Sequence, residues 1–301
     1  MAFTILDKSG RVYVQRELLQ ECKDPRLNIS KADIFMRVAK PFYDLSLRLA
    51  ADFPESRRLH MHIDSSEEES VLIYPFYQHT LLGMLQQDPE ISGAAKKKVL
   101  QETGDAMQEL HSKDWIHRAC DEEGTKTITD VALGDFGLAF RFKTGALLSN
   151  TRAVGNAMWR SLEGQAGRGL SKVSGIYLFG LICIYTLGGR EPLLINDYPE
   201  LAKLGVSPQQ AVLTRHFSCF GPANEGLLNV IDSEKWKKAL RILSEMTYLV
   251  MQDQQDMSFE VWGHAFGSGA HKMISGMTKI DPRARPTINQ IMEHLWWKEA
   301  I

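Results

Sequence analysis

Ile128-Thr129-Asp130-Val131-Ala132-Leu133-Gly134-Asp135-Phe136-Gly137 is the stretch that orients the rest of this chain. Ile128 to Leu133 reads as a strand, and an irregular segment follows Gly137 to about Leu170. An Asp-Phe-Gly tripeptide arises by chance in a chain of 301 residues on the order of a few per cent of the time. Its weight therefore comes from its neighbours. Upstream, Leu110-His111-Ser112-Lys113-Asp114-Trp115-Ile116-His117-Arg118 reads as a helix end followed by a strand. Downstream come Gly155-Asn156-Ala157-Met158-Trp159-Arg160-Ser161-Leu162-Glu163, then the apolar Ile176-Tyr177-Leu178-Phe179-Gly180-Leu181. Asp281-Pro282-Arg283-Ala284-Arg285-Pro286-Thr287 and His294-Leu295-Trp296-Trp297 close the series.

In this order and spacing the segments resemble the protein-kinase superfamily, and more narrowly a group of fungal protein-kinase-like proteins with a degraded catalytic loop. The resemblance covers Ile34 to Trp297 and is strongest from Leu110 onward. It implies an α+β, two-lobed fold, a small sheet-rich lobe over a larger helical one, with ATP and Mg2+ between them. Asp135 takes the slot of the metal-holding aspartate, followed by Phe136 and Gly137. Trp159 and Arg160 belong to the end of the activation segment. Glu163 and Arg285 fill the slots of a buried ion pair that ties this segment to the large lobe. Loss of one partner of such a pair costs about 3–5 kcal/mol.

The pattern breaks where the chemistry belongs. A working catalytic loop reads H-R-D-x-x-x-x-N, with Asp accepting the substrate proton and Asn holding a second magnesium. Here His117 and Arg118 are followed by Ala119, which offers no oxygen, and the Asn slot falls on Gly124. No Asn stands between Arg118 and Asp135, and Asp121 replaces the usual loop Lys. His117-Arg118 reads as joined directly to the acidic turn Asp121–Gly124, as if a block had been replaced, lost or wrongly joined. The transcript across codons 117 to 121 distinguishes these origins. Gly175 is a second departure: two residues before Tyr177 the family has an Asp that anchors the catalytic loop. On the nucleotide side only Gly10 lies near a hairpin, and Arg37 occupies the small-lobe Lys slot, a swap that keeps charge but not geometry. Tyr74, Phe76 and Tyr77 surround Pro75 in the strand that would meet an adenine. Asp44 and Asp52 are candidates for the missing helix glutamate, though a solvated helix face explains both.

Composition narrows the class. Apolar residues make up 44% and charged residues 24%, ordinary for a folded protein. Lys and Arg number 35 against 37 Asp and Glu, a net charge of −2. This gives no footprint for nucleic acid or anionic lipid. Cys22, Cys120, Cys183 and Cys219 are scattered without a CxxC pair, which suits a reducing compartment. The first residues lack a signal-peptide pattern. The apolar run Ile176 to Leu187 is shorter than the roughly 20 residues a bilayer needs. An intracellular protein, cytoplasmic or nuclear, with a protein partner or protein substrate is expected. His60 and His62 share a strand face without a completing metal ligand. Thr144, Ser149 and Thr151 are activation-segment hydroxyls for which Arg118 would be a phosphate partner.

The element pattern is strands first, helices later. Thr4–Leu6 and Val12–Gln15 read as a hairpin about Asp7–Gly10, and Ile34–Val38 as a strand. Phe42, Leu45, Leu47, Leu49 and Ala50 predict a helix that Pro54 ends. Arg58–Ile63 and Val71–Tyr74 predict two strands around an acidic turn, Asp64–Ser70. Leu81, Leu82 and Leu85 predict one face of a short helix. Val99, Leu100, Met107 and Leu110 predict a longer one over Gly93–His111, and Thr287–Lys298 an amphipathic helix. The expected organisation is residues 1–30 as N-terminal strands, 31–79 as the rest of the small lobe and 80–301 as the large lobe, with Gln78–Gln86 as the hinge region. The leading expectation is a pseudokinase acting as a binding or regulatory module. The alternative is an active serine/threonine kinase rescued by Asp121 or hidden behind a missing segment. A third reading is a structural remnant.

Overall fold

The computed structural model describes residues 4–6, 12–14, 17–20, 29–31, 34–77, 79–88, 90–117, 122–123, 130–142, 147–149, 153, 156–189 and 198–299. The chain forms two compact units, residues 1–89 with 121–137 and residues 90–120 with 138–301. In the first, β1 (Thr4–Leu6) pairs antiparallel with β2 (Val12–Val14). The turn expected at Asp7–Gly10 lies outside the described residues. β3 (Glu17–Gln20), β4 (Ile29–Lys31), β5 (Ile34–Arg37), β6 (Asp64–Ser66) and β7 (Val71–Tyr74) make an antiparallel sheet in the order β3-β4-β5-β7-β6. Helix α1 (Lys40–Asp52) starts with Pro at its first turn, where no N–H partner is needed. Its Tyr43, fully buried, joins Val38, Leu72 and Tyr74 in the core of this unit.

Two local expectations shift. Arg58–Ile63 is not a strand: only Leu59 bridges Leu133, and the strand lies one segment later, at Asp64–Ser66. Ser65 and Ser66 are buried and pair with Leu72 and Val71, so two small polar residues do what the apolar pattern assigned to their predecessors. The reversal narrows to Glu67–Ser70, where Ser70 takes a left-handed φ of 50°. In α2 (Leu81–Gln87), capped by the Thr80 hydroxyl, Leu81, Met84 and Leu85 are buried while Leu82 is exposed. Adjacent residues stand about 100° apart on a helix, so Leu81 and Leu82 do not share a face.

The second unit is helical. α3 (Gly93–Ser112), capped by Ser92, buries Val99, Leu100, Met107 and Leu110. After α4 (Leu162–Ala166), α5 (Lys172–Leu187) is buried on every side from Ser174 to Thr186, as its apolar sequence requires. It packs against α3 and, later in the chain, against the helix Ser268–Met277. α6 (Tyr198–Lys203), α7 (Pro208–Phe220), α8 (Glu225–Val230), α9 (Glu234–Met251), α10 (Phe259–Trp262), α11 (Ser268–Met277) and α12 (Ile288–Met292) follow. The final amphipathic stretch is broken. α12 stops at Met292, and His294 accepts the Trp296 N–H to open a separate 3-10 turn over Leu295–Lys298. Among the described residues no helix is long and apolar enough to cross a membrane.

Gly180 on α5 lies against the C-terminal end of α11. A Cβ there would lie 2.8 Å from the Thr278 methyl and 3.1 Å from Met277 Cβ. Gly180→Val is expected to destabilise the helical unit by about 1–3 kcal/mol through overpacking, read as a lowered denaturant midpoint with an unchanged slope.

Candidate functional site

Helix α4 begins at Ser161, whose hydroxyl accepts the Gly164 N–H, and this cap sets Glu163 in the first turn. Arg285 ends a short 3-10 turn opened by Asp281 and Pro282. The two side chains meet with no solvent exposure on either. Arg285 Nη1 donates to Glu163 Oε1 at 2.7 Å and Nη2 to Oε2 at 3.1 Å. Nε donates to the Lys279 carbonyl at 2.8 Å. The second hydrogens of Nη1 and Nη2 reach the carbonyls of Val173 and Ile280. All five guanidinium donors are thus used. Ser174 Oγ donates to Glu163 Oε1 at 2.8 Å. Burial alone would raise the Glu163 pKa; the Arg285 charge and these hydrogen bonds outweigh it and hold the carboxyl below its ordinary value of 4.5.

The pair has two further neighbours. The Arg285 guanidinium lies over the ring of Tyr177, 4.6 Å from its centroid. Tyr177 Oη is 3.1 Å from His216 Nδ1 on α7, and His216 also bonds the Met158 backbone. With the Met158 carbonyl accepting from Nε2, Nδ1 accepts the phenolic proton. Burial pushes His216 down to about 4 and raises Tyr177 well above its ordinary value, so both are neutral. Gln165 on α4 donates to the Ala157 carbonyl, and Gln209 donates to the Gln165 carbonyl. Trp159 packs edge-on against Tyr185 at 5.5 Å. The segment from Ala157 to Ala166 is therefore tied to α5, α7 and the Pro282–Ala284 turn. Glu163 and Arg285 were legible in the motifs. Ser174, Tyr177 and His216 as partners were not, because a histidine in an apolar helix carries no spacing signal.

Gly175, the position of the missing anchor, sits one residue beyond Ser174. His117, Trp159, Arg160 and Gly175 converge around a cavity of about 30 Å³, room for one water. A Cβ at Gly175 would meet Met107 Cε at 3.5 Å and His111 Nε2 at 3.6 Å, ordinary contacts. A Cβ at this position is therefore tolerated. His111 Nε2 is buried there without a hydrogen-bond partner among the described residues, and burial, with Lys172 nearby, lowers its pKa to about 4. Lys172 Nζ holds the other side, bonding the His111 carbonyl and the Asp114 carboxylate, both at 2.6 Å. Arg118, Ala119, Cys120, Asp121 and Gly124 lie outside the described residues. So do Gly10, Thr144 and Thr151. Ser149 is described, and its hydroxyl bonds Asp232, a carboxylate also 3.0 Å from Arg168 Nη1.

In the sheet-rich unit, Asp135 is exposed and takes a left-handed φ of 55°, a conformation that Asp tolerates better than most residues. Phe136 is buried. Gly137 lies against α1, where a Cβ would come 2.9 Å from the Phe42 ring. Tyr74 is buried; desolvation pushes its hydroxyl to about 12, the Ser46 bond opposing and the Asp135 charge adding. Its ring stands 5.1 Å from His60, and Tyr77 stands 4.9 Å from the same ring. His60 Nε2 donates to the Pro75 carbonyl at 2.9 Å. Tyr74 is thereby part of a packed aromatic group, whereas Phe76 is half exposed. Arg37 pairs with Val71 across the sheet, and its side chain lies outside the description. Asp44 bonds Lys40 at 3.2 Å on the surface of α1. Among the described residues no three His, Cys, Asp or Glu side chains converge to hold a metal. Asp135 is the described carboxylate that follows the Ala132–Leu133 strand, and no Asn stands between Arg118 and Asp135 in the sequence. The sequence therefore lacks the Asn that the family's second magnesium calls for.

Two outcomes follow from the buried groups. Glu163→Gln leaves the Arg285 charge unpaired and is expected to cost about 3–5 kcal/mol in denaturant unfolding. His111 and His216 refuse a proton that the unfolded chain, with an ordinary value of 6.5, accepts. Stability is therefore expected to fall as pH drops from about 6.5 towards 4. Glu163, depressed below 4.5, adds a further loss below that pH. Denaturant midpoints across this range measure both, and His111→Gln with His216→Gln is expected to flatten the upper part.

The comparisons with known proteins bear on this geometry. No curated protein matches the sequence. Among solved structures, the chain is similar to one in the crystal structure of the yeast RNA Pol II CTD kinase CTDK-1 complex, with a TM-score of 0.67 and 14% sequence identity. That alignment covers 95% of this chain and 93% of the other, and it establishes likeness of fold. The description "Protein kinase domain" matches residues 58–297. The match runs across Asp135-Phe136-Gly137 and both members of the Glu163–Arg285 pair, and the chain belongs to the protein-kinase family.

Proposed function

We propose that this chain is a pseudokinase, a kinase domain that does not carry out ordinary phosphotransfer and works as a protein-binding or regulatory module with weak or no ATP binding. The observation that carries the reading is Ala119: after His117-Arg118 the sequence has a methyl group where the family has its proton-accepting carboxylate. Gly175 supports it, because the resemblance places an Asp that anchors the same loop at this position and the sequence has no side chain there. Asp135 without the loop Asn supports weak nucleotide binding. The protein partner would meet the helical unit, whose activation-segment end is firmly tied. The near-zero net charge argues against nucleic acid, and an intracellular setting, cytoplasmic or nuclear, suits the scattered cysteines.

An active serine/threonine kinase is the second reading, favoured by the retained and exposed Asp135. Positioning and electrostatics supply most of the catalysis in phosphoryl transfer, so loss of the base alone slows rather than abolishes it. Incubation with γ-labelled Mg·ATP, with and without a generic protein substrate, tests the choice. The expected result is no transfer above background from cooperatively folding protein. Transfer by the wild type that vanishes in Asp135→Asn would establish the second reading.

A further inference from the structure

A groove of about 1260 Å³ in the helical unit is lined by α11, the turn that follows it and α12. It exceeds the roughly 300–1,000 Å³ of a small-molecule site and has room for a short peptide. Phe259, Met273, Ile280 and Ile291 give it an apolar, buried lining. Its charges do not balance. Arg285 is spent on Glu163, and what remains, histidines aside, is Lys272, Lys279 and Arg283 against Glu260 and Asp281.

Both carboxylates already have a neighbour. Glu260 Oε2 stands 3.5 Å from His271 Nε2. Asp281 accepts the Arg283 N–H at 3.0 Å, and Arg283 Nε lies 3.4 Å from the same oxygen. Lys272 and Lys279 differ: both are exposed, and neither makes an ion pair among the described residues. Burial and the Lys272 charge lower the pKa of His294, which also lines the groove, with Glu299 opposing. Between the two lysines in the chain stands Ser275, whose buried Oγ has no hydrogen-bond partner among the described residues. A helical hydroxyl can satisfy itself on the carbonyl four residues back, as Thr103, Thr247 and Thr278 do at 2.8, 2.8 and 3.0 Å. Ser275 does not, and one rotamer step turns its donor toward an acceptor entering the groove.

We propose that this groove binds an acidic segment of a protein partner, whose carboxylates pair with Lys272 and Lys279 while its apolar side chains cover the apolar lining. The inference rests on the protein-binding reading above and gives it a place and a chemistry. A nucleic-acid backbone is the poorer fit, because such binding draws on roughly six to ten phosphate contacts and the groove offers two unpaired lysines. Carboxylates spaced along one short segment match two lysines in a concave, partly apolar site, and electrostatic complementarity of this kind selects the partner.

Fluorescence anisotropy of a labelled eight-residue peptide of alternating glutamate and leucine, titrated with the full chain, tests the groove. Thermal unfolding checks that each variant is folded. The wild type is expected to bind this peptide saturably, more weakly as salt rises, and not to bind the counterpart with lysine in place of glutamate. Lys272→Glu and Lys279→Glu are each expected to weaken binding about threefold or more, and the two together to invert the preference toward the lysine peptide. Ser275→Ala is expected to weaken it about twofold. A glutamate peptide that binds no better than the lysine one, or binding indifferent to both lysine substitutions, would overturn the proposal. So would retention of a single-stranded oligonucleotide through the same lysines without peptide binding, which would assign the groove to nucleic acid. The γ-phosphate assay on the same samples separates this inference from the pseudokinase reading. Peptide binding together with phosphotransfer would keep the groove and overturn that reading; neither binding nor transfer would overturn the groove alone.

Discussion

Arg285 is a full positive charge with no access to water, and the architecture of the helical unit is arranged around making that tolerable. Its five donors are met by two carboxylate oxygens and three backbone carbonyls, and its flat face rests on the Tyr177 ring. The carbonyls come from residue 173 at the start of α5 and from residues 279 and 280 after α11. Satisfying one side chain thus fixes the relation of α4, α5 and the turn before α12. A buried pair of this kind adds little net stability, but neither member can be lost singly without leaving an uncompensated charge. It acts as a constraint on arrangement.

The same frame makes the missing chemistry easier to interpret. One residue separates Ser174, which supports Glu163, from Gly175, where the family places its loop anchor. The constraint on the activation-segment end is complete, while beside Gly175 the buried His111 Nε2 has no hydrogen-bond partner among the described residues. On the proposed reading, the residue that supports the fold and the residue that would support catalysis are neighbours on α5. A domain selected only to present a surface needs the first and not the second. Asp135, Phe136 and Gly137 fit this view: Phe136 and Gly137 are held by packing, the latter against Phe42, and such packing persists without any metal.

Much of this was legible before the structure. The helices over Gly93–Ser112 and Lys172–Leu187 follow from apolar spacing, and Glu163 and Arg285 from motifs 122 residues apart. The strand at Asp64–Ser66 was not legible. Two serines and an aspartate lack strand propensity, and only pairing with Val71–Ile73 makes them one. Leu82 was misplaced because apolar identity was read without its angle around the helix. Tyr177 and His216 were visible as residues but not as partners, since a contact between two elements leaves no periodicity in either. Arg118, Ala119 and Gly124 lie outside the described residues and are read from the sequence alone.

The proposed pseudokinase keeps a kinase frame without its nucleotide chemistry. Calorimetric titration of Mg·ATP into cooperatively folding protein addresses it most directly. The account predicts no saturable heat, or a dissociation constant weaker than about 1 mM. Micromolar binding that is lost in Asp135→Asn would contradict it.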